Sequence, residues 1–183
     1  MLSYEKYLAE ILINEDDLQR RVAALGQQIS QDYATCEDLL LICILKGGVM
    51  FLTDLTRHIT VPHEIDFMAV TSYGKGIRSS TRNVRIDMDL TAALEGKEVL
   101  IVEDIIDSGH TLDFVIKMLG ARSPRSIKLC TLLNKPSRRE IDLTIDYIGF
   151  EIEDRFVFGY GLDLDEKYRN LPFIGVVNLD ALA

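Results

Sequence analysis

Val99-Leu100-Ile101-Val102-Glu103-Asp104-Ile105-Ile106-Asp107-Ser108-Gly109-His110-Thr111-Leu112 is the stretch that decides how this chain reads. Residues 99–102 are uniformly apolar, as a strand buried on both faces of a parallel sheet must be. Two carboxylates, Glu103 and Asp104, follow at the expected carboxyl end of that strand, where open α/β sheets bind their ligands. The loop over residues 107–111 then opens a helix and brings small side chains, a glycine and the hydroxyls of Ser108 and Thr111. With the free N–H groups of a helix N-terminus, that composition makes a phosphate cradle. Adjacent carboxylates beside such a cradle suit sugar hydroxyls or a hard cation such as Mg²⁺.

Outward from this block, strands and helices alternate. Asn14 caps a helix with Asp17 three residues on, and Leu18, Val22, Leu25 and Ile29 form its apolar stripe. Leu39–Leu45 is a buried strand that runs through Lys46-Gly47-Gly48 into a helix ending near Ile59. Residues 64–72 read as a further strand, 112–119 as a crossover helix and 127–133 as the next strand. Shorter strands are expected over 145–150, 155–159 and 173–177. This alternation predicts an α/β fold, a mostly parallel twisted sheet flanked by helices. At 183 residues the chain is expected to be one domain, with no repeat or linker.

Composition narrows the function. A net charge of −9 and a pI near 4.8 argue against nucleic-acid binding. Cys36, Cys43 and Cys130 lack metal-ligand spacing and read as reduced thiols. The first residues lack a signal-peptide shape, and the longest apolar run is too short to span a bilayer. The expectation is a soluble cytoplasmic protein without membrane or nucleic-acid partners.

Other clusters carry chemistry. Lys46-Gly47-Gly48 sets a cation and two glycines directly after a buried strand, where backbone N–H groups can approach an anion. Residues 71–85 hold four cations and no acid within an acidic protein, which predicts a mobile lid over a polyanion. Lys135 follows a strand, and Arg155-Phe156-Val157-Phe158-Gly159-Tyr160-Gly161-Leu162-Asp163 precedes Arg169-Asn170-Leu171. By themselves these last segments read as a turn and core aromatics. Asp87-Met88-Asp89 has metal-binding spacing but no supporting ligands. His58 and His63 read as surface residues.

An acid pair followed by D-[ST]-G-x-T resembles the phosphoribosyl diphosphate (PRPP) signature of the type I phosphoribosyltransferases. The segment Phe158-Gly159-Tyr160-Gly161-Leu162-Asp163 to Arg169-Asn170-Leu171, together with Lys135, narrows the likeness to the hypoxanthine (hypoxanthine-guanine) members. It runs from about Leu39 to Val177. The resemblance implies a core near residues 37–150, with a hood made from the N-terminal segment and residues 151–183. It implies transfer of phosphoribosyl from PRPP to hypoxanthine or guanine with Mg²⁺, by a homodimer or homotetramer.

By the same resemblance, Asp107, Lys135 and Arg169 are the catalytic group. Glu103, Asp104, Asp107, Ser108, Gly109, His110 and Thr111 would bind the ribose 5′-phosphate half of PRPP, His110 through its backbone alone. Lys46, Gly47, Ser72, Tyr73 and Arg169 would take the diphosphate, with a non-proline cis bond before Lys46. Lys135, Phe156, Val157 and Asp163 would form the purine site, and Glu103, Asp104 and Asp163 the metal site. Asp107 would exchange the proton at purine N7, and Lys135 would donate to the 6-oxo group. Phe158 and Asn134 depart from the pattern and would tune the purine pocket. A xanthine transferase and a PRPP-sensing regulator of nucleic acid remain as alternatives.

Overall fold

The computed structural model describes residues 4–73 and 83–182. Its main sheet has six strands in the order β4-β3-β2-β5-β6-β7. They are β2 (Leu39–Leu45), β3 (His63–Tyr73), β4 (Asn83–Met88), β5 (Glu98–Ile106), β6 (Ser126–Asn134) and β7 (Tyr147–Glu151). All pair in parallel except β3 with β4. A second sheet, ordered β1-β9-β8, joins Leu8–Ile13 (β1), Val157–Phe158 (β8) and Ile174–Val177 (β9). It forms the small hood that the resemblance implies.

The helices show why the site sits where it does. On β2, Leu39, Leu41 and Cys43 join the core beneath α1 (Glu15–Asp32) and α2 (Val49–His58). The alternate residues Leu40, Ile42 and Ile44 join the opposite core with Leu112, Val115 and Leu119 of α3 (His110–Gly120). Period-two alternation on a strand of uniformly apolar residues therefore feeds both faces. The adjacent parallel strands β2 and β5 send their helices to opposite faces, which opens a crevice between their carboxyl ends.

Local chemistry matches the sequence at α1, where the Asn14 side chain accepts from the Asp17 N–H at 2.9 Å. Elsewhere the structure corrects it. β1 was not foreseen: it has no partner in its own neighbourhood and becomes a strand by pairing with β9. The lid expected over residues 71–85 is strand at both ends, because Ser72 pairs with Val84 and Tyr73 with Asn83. The alternation of Val84, Ile86 and Met88 with Arg85 and Asp87 was its signal. Residues 74–82 of that segment lie outside the described ones. The strand expected at 155–159 shrinks to Val157–Phe158. His63 is half-buried rather than superficial, its ring bonded to the Thr56 hydroxyl and the Val61 carbonyl. Asp87 and Asp89 hold Arg85 and Arg122 rather than a shared metal site.

Candidate active site

Glu103 and Asp104 lie inside β5 rather than beyond it, because the strand runs on to Ile106. Neighbouring strand residues point to opposite faces, so the acid pair is split. Glu103 lines a cavity of about 150 Å³ with Asp107, Ser108, Gly109 and Thr111. Asp104 packs on Gly47, where any Cβ would collide with its carboxylate. Burial raises the Glu103 carboxyl well above its ordinary range, and the charge of Asp104 adds to the effect. Among the described residues, its buried Oε2 has no hydrogen-bond partner. Burial likewise pushes Asp104 up to about 6, against the Ile105 N–H bond at 2.8 Å and the pull of Arg169.

The loop after β5 is shaped by Gly109, whose φ of +91° is open to glycine at little cost. A Cβ there would also press on Leu143, Arg139 and Ile141. Gly109 stands at the N-cap of α3, so the N-terminal turn of the helix opens beside this loop. The segment after β6 buttresses this loop. The Glu140 and Ile141 N–H groups donate to the Ser108 carbonyl at 3.0 and 3.1 Å, and the Lys135 N–H to that of Ile106 at 3.0 Å. Arg138 Nε sits 3.2 Å from the Asp107 carboxylate. The His110 ring meets the Glu140 carboxylate at 2.7 Å.

Lys135 is 8 % exposed and donates from Nζ to the Arg155 carbonyl at 2.7 Å. Beyond that carbonyl, Phe156 is 51 % exposed while Val157 is buried at the start of β8. An exposed ring one residue beyond the carbonyl that holds a buried cation is a pairing that a flat polar heterocycle could use. Asn134, also buried, holds Arg139 through its side-chain oxygen. Phe158 is fully buried and belongs to the hood core rather than to a pocket wall.

Across the crevice, the peptide between Leu45 and Lys46 is cis. Lys46 Nζ lies 2.8 Å from Glu166 Oε2, and Arg169 Nη2 lies 3.3 Å from the same oxygen. Arg169 also reaches Asp163 at 2.9 Å and the Gly161 carbonyl at 2.8 Å. Gly161 (φ +98°) packs so closely that a Cβ would collide with the Gly47 carbonyl. Two loops distant in sequence thus bring Lys46, Asp163 and Arg169 together. Ser72 and Tyr73 lie on β3 by their backbone, and their side chains fall outside the described residues.

Comparison with known proteins gives this geometry a lineage. A model of the phosphoribosyl transferase domain matches residues 10–167. The hypoxanthine phosphoribosyltransferase of Salmonella typhimurium is 49 % identical over 175 residues, covering 95 % of this chain and 98 % of that protein. The chain belongs to the hypoxanthine phosphoribosyltransferase family. The hypoxanthine-guanine phosphoribosyltransferase of Mycobacterium tuberculosis is 47 % identical over 180 residues, with 96 % of this chain and 89 % of that one covered. A crystal structure of a Staphylococcus aureus hypoxanthine phosphoribosyltransferase superposes with a TM-score of 0.91 at 43 % identity, covering 96 % and 95 %. The fold is therefore the type I phosphoribosyltransferase fold.

Sequence reasoning missed several residues of this family member's site. Arg138 at Asp107, Asp154 at 3.5 Å from Lys135, and Glu166 at Lys46 are ion pairs across separate loops. Lys46 and Glu166 are 120 residues apart, and no local pattern announces such a contact. Gly161 alone had a signal, as one of two glycines flanking Tyr160.

Proposed function

We propose that the protein moves the phosphoribosyl group of PRPP onto hypoxanthine, and onto guanine, releasing diphosphate. The observation that carries this is the position of Asp107. It stands in the wall of the phosphate cradle, and the same loop leans on the segment that bears Lys135. A purine held by Lys135 and Phe156 would have its imidazole edge toward that carboxylate.

The bond from the anomeric carbon to the diphosphate oxygen breaks as the bond to purine N9 forms, with oxocarbenium character between. Catalysis of such a step is largely positioning and charge stabilisation. The N–H groups of residues 107–111 fix the 5′-phosphate, and Glu103 and Asp104 take the ribose hydroxyls from either side. Lys46 and Arg169 receive the leaving diphosphate, joined by Ser72 and Tyr73. Asp107 accepts the proton from N7 as N9 attacks. Lys135 donates to the 6-oxo group, which excludes adenine, Phe156 stacks on the ring, and the Val157 main chain meets its edge.

Mg²⁺ fits this donor set. The Glu103 carboxyl has an unpartnered buried oxygen, and Asp104 and Asp163 face the diphosphate side. Among the described residues no group of three His, Cys, Asp or Glu side chains could hold a metal ion, so Glu103, Asp104 and Asp163 do not form the single ligand set expected of them; Mg²⁺ would be held by one or two of these carboxylates and by substrate phosphates. Bound there, Mg²⁺ would neutralise charge building on the leaving group. We also propose one domain over residues 1–183, with its core near 37–150, acting as a homodimer or homotetramer in the cytoplasm. Cysteines left free, two of them buried, favour a reducing compartment.

The test is diphosphate release from PRPP and Mg²⁺ with hypoxanthine, guanine, xanthine, adenine and uracil in parallel. Turnover of hypoxanthine or guanine, lost in Asp107→Ala, is expected. Turnover of xanthine alone, or of none, overturns the proposal.

A further inference from the structure

The diphosphate end of the crevice is occupied by one of the protein's own carboxylates. Glu166 Oε2 receives both Lys46 Nζ and Arg169 Nη2, at 2.8 and 3.3 Å. The backbone that delivers it is unusual. Asp165, Glu166 and Tyr168 have φ of +53°, +62° and +68°, in the left-handed region that residues with a Cβ adopt at a cost. The turn closes through the Glu166 N–H on Asp163 Oδ2 at 2.9 Å.

We infer that Glu166 is a resident counter-anion of the diphosphate subsite, displaced by the diphosphate of PRPP or by free diphosphate, and thereby sets affinity for it. This inference rests on the proposed function for the identity of the ligand. Arg169 does not depend on Glu166 for its place, because Asp163 and the Gly161 carbonyl also hold it. Glu166, by contrast, is anchored at its carboxylate, among the described residues, by the two cations named. Both partners of the Lys46 pair are about two-thirds exposed, at 67 % and 66 %. Such pairs are weak in water and yield readily to an anion of higher charge. A groove of about 680 Å³, lined by Met50, Glu166, Tyr168 and Arg169 among others, lies alongside and offers room for the displaced side chain. In the empty site the device keeps two converging cations from repelling each other and from holding weaker monoanions.

The test is calorimetric titration of inorganic diphosphate with MgCl₂ into wild-type protein, Glu166→Gln, Glu166→Asp and Asp165→Asn. Gln keeps the shape and the backbone requirement but removes the charge. One exposed pair, and a second whose Arg169 side is only 20 % exposed, predict a Kd about three- to tenfold lower in Glu166→Gln, a matching fall in KM for PRPP and no change in KM for hypoxanthine. Glu166→Asp, with a shorter reach, should fall between. Asp165 is 92 % exposed and, among the described residues, pairs with Lys167 alone, so Asp165→Asn measures the general field and should change Kd by less than about twofold. An equal gain in Asp165→Asn, or unchanged or weaker binding in Glu166→Gln, overturns the inference. Failure of wild-type protein to use any base overturns the function instead, and the titrations still decide the role of Glu166.

Discussion

Replacing Asp104 with Asn should make the ligand-free protein more stable while stopping its chemistry. Burial against Gly47 drives the Asp104 carboxyl from 3.8 to about 6, and the nearby charge of Asp163 adds a little. That difference corresponds to about 3 kcal/mol of cost for carrying the ionised group when folded. The crevice admits water, which reduces the figure to about 2 kcal/mol. Because the folded-state value is the raised one, this group favours folding below its unfolded value near 4. That contribution is lost as pH rises through 6. Asn is neutral throughout and keeps the oxygen that accepts from the Ile105 N–H. In a chain of this length, about 2 kcal/mol should raise the melting temperature by about 4–8 °C at pH 7.5. The gain should shrink toward zero as pH is lowered from 6 to 4. Differential scanning calorimetry across that range reads both features, and PRPP turnover should collapse at every pH. An Asn variant that melts no higher than wild type at pH 7.5 refutes the reasoning.

Gly161→Ala should cost about 2–4 kcal/mol in urea unfolding and raise KM for PRPP, because it combines a φ of +98° with a collision on the Gly47 carbonyl. A fully stable variant would disprove the loop-on-loop contact. Lys135→Met should raise KM for hypoxanthine about ten- to hundredfold by deleting a charged donor, with KM for PRPP little changed. Asp107→Asn should lower kcat about 10²- to 10⁴-fold, and a kcat near wild type would remove Asp107 from proton transfer. Chelation with EDTA should stop turnover and Mg²⁺ should restore it; activity that persists in EDTA argues against the metal site.

The hood and the lid show where local reading fails. β9 was legible as a short apolar strand, but β1, at the opposite end of the chain, is a strand because β9 is there to pair with it. β3 and β4 pair around residues that sequence alone marks as polar loop, and the pairing sets their ends. In the site, types and loops were legible but partners were not. Lys46 and Asp107 stood out by local pattern and Lys135 and Arg169 through the family resemblance, whereas Glu166, Arg138 and Asp154 matter through contacts with residues far along the chain.

What the amino-acid sequence determined by itself was everything set by short-range physics. Uniformly apolar runs demanded strands buried on both faces, Asn14 capped its helix, and Gly109 bent the loop after β5. Tertiary structure alone decided the division of the acid pair. The register of β5 between β2 and β6 turns Glu103 to the cavity beside Asp107, Ser108 and Gly109 and Asp104 to Gly47. A strand's alternation says that neighbours diverge, but only the packed sheet says which face meets which loop.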